Sequence, residues 1–303
     1  MEQPDCLQVN NLTFSVGDKM LLNGLSFEVV SGKKVALLGL NGAGKSCLIR
    51  TLTGEFKAEK GEISFQSLRP TEKAFKDKLG YQASGMLALP NLSCREYLTF
   101  CCSLKSSLSG DNQHHYIELV SEQWNLTENM DIPLTKLSQG NLQKLFVAQA
   151  FLGNPEYIIL DEPSQALDPI EQQRFIDNLN KLSYFRLCLF SSHHVNEAVR
   201  AADSVMMLHH GRLIAILDLH SSDEFWLVTK LSEAEILELF SEDSNISVYP
   251  QSIKNLVKFE QIDIAQWQLL VKRLSDVDPS MVELGCGENA LMPMFALLAN
   301  EDI

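Results

Sequence analysis

The sequence has no apolar run of about 18 residues, the length that a membrane-spanning helix needs. The longest candidate, ALMPMFALLA at 290–299, is too short and contains a proline. The amino-terminal stretch MEQPDCLQVN lacks the basic and apolar regions of a secretory signal. The seven cysteines form no Cys-x-x-Cys pair. We therefore expect free thiols in a reducing compartment, with Cys101 and Cys102 as helix-packing residues rather than metal ligands. Basic residues are few: 25 Lys and Arg stand against 39 Asp and Glu, a net charge of −14. That balance argues against broad binding to nucleic acid or anionic lipid.

What is present is an ordinary globular composition, 45% hydrophobic over 303 residues. Residues 6–30 alternate apolar and polar around Gly17-Asp18, the pattern of a strand pair. KKVALLGL is a buried strand running into glycines, and CLIRTLTG is a helix ending at Gly54. GEISF and KLGYQ read as further strands. From about 83 to 153 the spacing turns helical, and strands return at EYIILDEP, RLCLFSSH and the hairpin SVMMLHHGRLIAIL. A helical insert thus interrupts an α/β core.

Beyond residue 217 the order changes to β-α-β-β-α-β and a final helix at 289–299, which suggests a small ferredoxin-like α+β domain over 218–303. Residues 219–303 carry fifteen carboxylates against five basic side chains, so most of the net charge sits there.

Two segments carry chemistry. GLNGAGKS, Gly39–Ser46, has the phosphate-loop spacing G-x-x-x-x-G-K-[ST] between a strand and a helix. Gly39, Gly42 and Gly44 would let the backbone amides of the loop, Leu40, Asn41 and Ala43 included, approach phosphates. Lys45 would reach the β- and γ-phosphates, and Ser46 would ligate Mg²⁺. Cys47 follows on the first helical turn. The strand YIIL ends at Asp161, placed to hold the Mg²⁺ shell, and at Glu162, placed to polarise an attacking water.

With these two motifs, the chain resembles an ATP-binding cassette (ABC) ATPase over residues 6–217. Gln82 matches that family's glutamine after the following strand, which serves both Mg²⁺ and catalysis. Leu137-Ser138-Gln139-Gly140-Asn141 matches its signature L-S-G-G-Q with two departures. SQALD, ending at Asp168, matches its D-loop. His193 matches its switch histidine, by spacing to Glu197, although His194 duplicates it.

The resemblance implies a P-loop NTPase fold with an inserted helical subdomain at about 83–153, and two cassettes packing head to tail. Ser138 and Gly140 would then cap the γ-phosphate held by the other chain. It implies an ATP-hydrolysing subunit at the cytoplasmic face of the cell membrane, working with polytopic membrane chains that dock near 83–93. The second cassette would be identical or a related chain. The carboxy-terminal extension is similar to those of exporter-type ATPases, and import stays open. A soluble ABC ATPase acting on nucleic acid or ribosomes, and a regulator that binds nucleotide without hydrolysis, remain alternatives. The adenine-stacking aromatic of the family aligns with Val16, with Phe14 as a substitute if the register shifts.

Overall fold

The computed structural model describes residues 5–106, 108, 110–240, 245–250 and 254–299. The chain runs through β1 (Asp5–Val16), β2 (Lys19–Val30), β3 (Lys33–Leu38), α1 (Lys45–Leu52), β4 (Lys60–Phe65), α2 (Lys73–Lys78) and β5 (Leu79–Gln82). Three helices follow: α3 (Cys94–Ser103), α4 (Asp111–Gln123) and α5 (Gln139–Ala150). It returns through β6 (Tyr157–Leu160), α6 (Pro169–Asn180), β7 (Leu187–Ser192), α7 (Val195–Ala201), β8 (Ser204–His209) and β9 (Arg212–Asp218).

The six-stranded sheet has the order β5-β6-β7-β3-β8-β9, parallel except for the hairpin strand β9. Its central strands are buried along their length, the pattern of a parallel sheet covered on both faces. One face packs on α1 and on a three-stranded antiparallel sheet, β2-β1-β4, through Leu7, Leu22, Phe65 and Leu48. The other packs on the helical insert through Leu98, Trp124, Leu145 and Phe151.

Register places the functional turns together. Gln82 pairs with Leu160, Leu160 with Phe190, and Leu38 with Ser192. The residues that leave β5, β6, β7 and β3 therefore emerge along one edge, at the carboxyl ends of the strands, where open α/β sheets bind their ligands.

Sequence reading assigns no helix to residues 73–78. α2 is six residues long, too short to show periodicity, and is anchored by Phe75 against Phe65 and Tyr157. Among the described residues, no helix is long and apolar enough to cross a membrane.

The remaining elements are β10 (Phe225–Thr229), α8 (Glu233–Leu239), β11 (Ile246–Pro250), β12 (Asn255–Phe259), α9 (Ile264–Val277), β13 (Val282–Cys286) and α10 (Glu288–Ala299). Capping boxes at Ser232/Glu235 and Asp263/Gln266 start α8 and α9. The strands form an antiparallel sheet of order β11-β12-β10-β13. Alternation sends Phe225, Leu227, Val257 and Phe259 towards Trp267 of α9. Trp226, Val228, Leu256 and Leu284 face the other way and share a core with the helical insert and with α10, which packs on α7.

Candidate active site

The loop between β3 and α1 folds around its own lysine. Lys45 Nζ donates to the carbonyls of Gly39 at 2.8 Å and Leu40 at 3.3 Å. Gly42 stands at φ 82° with no atom within 4 Å of where a Cβ would sit, so its concave side is open. Gly44 caps α1 at φ 107°, where a Cβ would meet the Leu21 carbonyl at 2.9 Å, so only glycine fits. Asn41 is exposed and Ala43 buried; Ser46 and Cys47 are half-buried on the first turn of α1. Cys47 packs against the core beneath, and burial raises its thiol above the ordinary range.

Lys45 is 6% exposed, and its ammonium lies 3.9 Å from Glu162 Oε1. Burial pulls its pKa below the ordinary lysine value, and the carboxylates of Glu162 and Asp161 pull it back up. The site is thus a buried cation answered by two acids, with room for phosphate on the open side of the loop.

Glu162 follows the last residue of the acidic strand end and stands at φ 50°, a conformation that a residue with a side chain rarely adopts. Its amide donates to Ser191 Oγ at 2.8 Å, and its carbonyl accepts from Gln143 Nε2 of α5 at 3.3 Å. Strain held this way belongs to sites where a side chain must be aimed. Glu162 Oε1 lies 3.8 Å from His193 Nδ1. His194 occupies the N-cap position of α7.

Asp161 is fully buried; its oxygens accept from Ser191 Oγ at 2.6 Å and Ser84 Oγ at 2.7 Å. Gln82 is 1% exposed and donates through Nε2 to the carbonyls of Ala83 and Asp161. Its Oε1 is buried without a partner. The orphaned amide oxygen of Gln82, whose nitrogen donates to the Asp161 carbonyl, the buried Asp161 carboxylate and the Ser46 hydroxyl of the loop are all oxygen donors of the kind a hard cation takes. By donor chemistry, Ser46, Gln82 and Asp161 therefore fit Mg²⁺.

The structure brings Lys45, Gln82, Asp161, Glu162 and His193 to one sheet edge. Ser138 and Gly140 open α5 instead. Ser138 is exposed and caps the helix by accepting from the Asn141 amide at 3.2 Å. A side chain at Gly140 would start 3.3 Å from the Ala166 carbonyl. Asp168 caps α6, accepting from the amides of Ile170 and Glu171. Phe14 stacks on Phe56 with ring centroids 5.0 Å apart, while Val16 is 59% exposed. Sequence reasoning missed Ser84, Ser191 and Gln143. No spacing rule marks them, because they reach the acids from other strands and helices.

Residues 22–165 match the ABC transporter family. The chain carries an ABC transporter ATP-binding cassette. It is 29% identical over 223 residues to the uncharacterized ABC transporter ATP-binding protein YdbJ of Bacillus subtilis, covering 72% of this chain and 71% of that one. It is also 29% identical to human ATP-binding cassette sub-family A member 9, over 93% of this chain but only 18% of the human protein. A solved ATP binding subunit of an ABC transporter superposes with a TM-score of 0.62 at 28% identity, over 71% of this chain and 90% of the other. The chain therefore spans a small part of the human relative.

Proposed function

We propose that this cassette binds and hydrolyses ATP with Mg²⁺, and that it drives transport through separate membrane-spanning chains. The observation that carries the reading is the placement of Glu162. It is held in a strained conformation at the strand end, between Lys45 at 3.9 Å and His193 at 3.8 Å.

The loop amides from Gly39 to Ser46 and the start of α1 would bind the phosphates. Lys45 would exchange its contacts with the Gly39 and Leu40 carbonyls for phosphate oxygens. Mg²⁺ held by Ser46, Gln82 and Asp161 would neutralise charge on the phosphates. Glu162 would take the proton of the attacking water as the bond from the γ-phosphorus to the bridging oxygen breaks. His193 would fix the orientation of that carboxylate.

Ser138 is exposed at a helix start and accepts one amide of α5, so the other amides of that turn would remain to cap a phosphate. This supports a head-to-tail pair of cassettes, in which Ser138 and Gly140 serve the partner's nucleotide. The loop after Gln82 exposes Leu87 and Leu89, which supports a membrane partner docking there at the cytoplasmic face. The acidic residues 218–303 would form a ferredoxin-like domain packed on the cassette, and the net charge of −14 disfavours nucleic acid as a partner.

Glu162→Gln tests the reading. ATP binding should persist while turnover falls by roughly 10²–10⁴-fold, the range for losing a general base. An ATP-bound dimer should accumulate. Wild-type turnover in this variant would remove Glu162 as the base.

A further inference from the structure

The turn that carries His193 runs between buried Ser192 and buried Val195. A cavity of about 570 Å³ lies against it, lined by His193, His194, Glu197, Arg200, Met292 and Phe295. The His193 side chain is 40% exposed, and its ring meets that of His194 at 4.0 Å between centroids. Met292 and Phe295 belong to α10, which also packs on α7.

Two hydrogen bonds bracket His193 in sequence. Ser192 Oγ donates to Glu197 Oε2 at 2.5 Å and accepts from the His194 amide at 3.0 Å. Ser192 therefore ties the end of β7 to the first turn of α7, and Glu197 holds Ser192. Glu197 occupies the third position of α7, where an acid interacts favourably with the helix dipole. That role needs no burial, yet Glu197 is 8% exposed and its Oε1 is buried without a partner among the described residues. A buried carboxylate with one bare oxygen costs stability. It does not close a capping box either, because the amide it would bind in one, that of His194, goes to Ser192. A buried acid that leaves one oxygen bare in order to hold a single serine points to a functional demand at that serine.

We propose that Glu197 is a positioning residue that acts through Ser192 to fix this turn and aim His193 at Glu162. The proposal rests on reading Glu162 and His193 as the hydrolytic pair. It predicts that the clasp matters to turnover and not to nucleotide binding, because its hydrogen bonds join Ser192, His194 and Glu197 and not the phosphate loop.

The test uses the full chain with Glu197→Ala, Ser192→Ala, the double variant and Glu197→Gln. Steady-state MgATP turnover is measured with kcat and KM separated, per folded molecule. Each alanine variant should lose roughly 10–10²-fold in kcat, the scale of a misplacement of about 1 Å, with KM unchanged. The double variant should lose no more than either single one, because both remove the same clasp. Glu197→Gln should restore most of kcat, since its amide oxygen still accepts from Ser192.

A role in stability alone would lower the melting temperature and leave kcat per folded molecule intact, which would overturn the proposal. So would losses that multiply in the double variant, or a glutamine no better than alanine. Amide exchange over residues 190–196, measured without nucleotide, gives an arm independent of catalysis. Exchange should quicken in Glu197→Ala and return to the wild-type rate in Glu197→Gln. If the wild-type chain on its own turns over no ATP, this arm decides the clasp: unchanged protection in Glu197→Ala would overturn it.

Discussion

The nucleotide edge of the cassette and the carboxy-terminal sheet treat buried polar groups in opposite ways. At the first, Gln82 Oε1 and Glu197 Oε1 are buried without partners, burial lowers the Lys45 pKa, and Glu162 sits in a strained backbone conformation. At the second, Asp278 accepts from Thr229 Oγ1, the Lys230 amide and both the amide and hydroxyl of Ser280. Trp267 Nε1 donates to Glu283, and Lys258 lies between Glu224 and Glu260. Among the described residues, every buried side-chain atom without a partner lies before residue 198. Saturated polar networks specify a structure, whereas an unsatisfied oxygen beside the acids, as at Gln82, is where a ligand fits.

The comparison breaks most visibly at Lys45. Lys45→Ala should weaken ATP binding by roughly 2–5 kcal/mol, the cost of removing one side of a desolvated charge pair. Thermal stability should not fall, because the buried ammonium is itself held at a cost. Nucleotide titration of the folded variant decides it: unchanged affinity would remove Lys45 from the phosphates. The same variant, mixed with Ser138→Arg, probes the partner's site. Random exchange makes about half the dimers mixed, each with one intact site of two, so roughly a quarter of activity should return. No recovery from wild-type-competent chains would mean that Ser138 does not act in trans.

The asymmetry also explains what the sequence discloses. Gly39–Ser46, Asp161, Glu162 and His193 are legible because a phosphate site needs fixed residue types at fixed spacing on one strand-turn-helix unit. Their supports are not. Ser84 and Ser191 reach Asp161 from 77 and 30 residues away, and Gln143 reaches Glu162 from α5. Such contacts depend on strand order, and β3 lies between β7 and β8, which follow it by more than a hundred residues. The carboxy-terminal elements are legible from strand alternation and capping boxes. That α10 would pack on α7 is not, because its sequence is apolar nearly all round and names no face.

The satisfied side of the comparison breaks at Asp278. Burial alone would raise its carboxyl, but hydrogen bonds from Ser280, Thr229 and the Lys230 amide hold it well below the usual carboxylate range. A carboxyl depressed on folding contributes stability above its unfolded value of about 3.9, and that contribution is lost as pH falls. Asp278→Asn should therefore cost about 1–3 kcal/mol at neutral pH and progressively less below about pH 4. Denaturant unfolding followed by tryptophan fluorescence measures the difference. ATP turnover per folded molecule should be unchanged. A cost independent of pH would mean that shape, not charge, holds this corner.

The smallest expected effect lies on the surface, at Val16. It ends β1 opposite Lys19 and is 59% exposed, so a larger ring has room there. Phe14 stacks one face on Phe56, whose own ring also lies beneath the Arg50 guanidinium. Val16→Tyr would add an aromatic face where the family resemblance places adenine. Base stacking on an aromatic is worth about 1–3 kcal/mol, and an exposed position should give the lower end, roughly a tenfold gain in affinity. The gain should be equal for ATP and ADP, which share the base, and absent for inorganic tripolyphosphate, which has none. A gain for tripolyphosphate would place the effect on the phosphate loop, and no gain for either nucleotide would place adenine away from the end of β1.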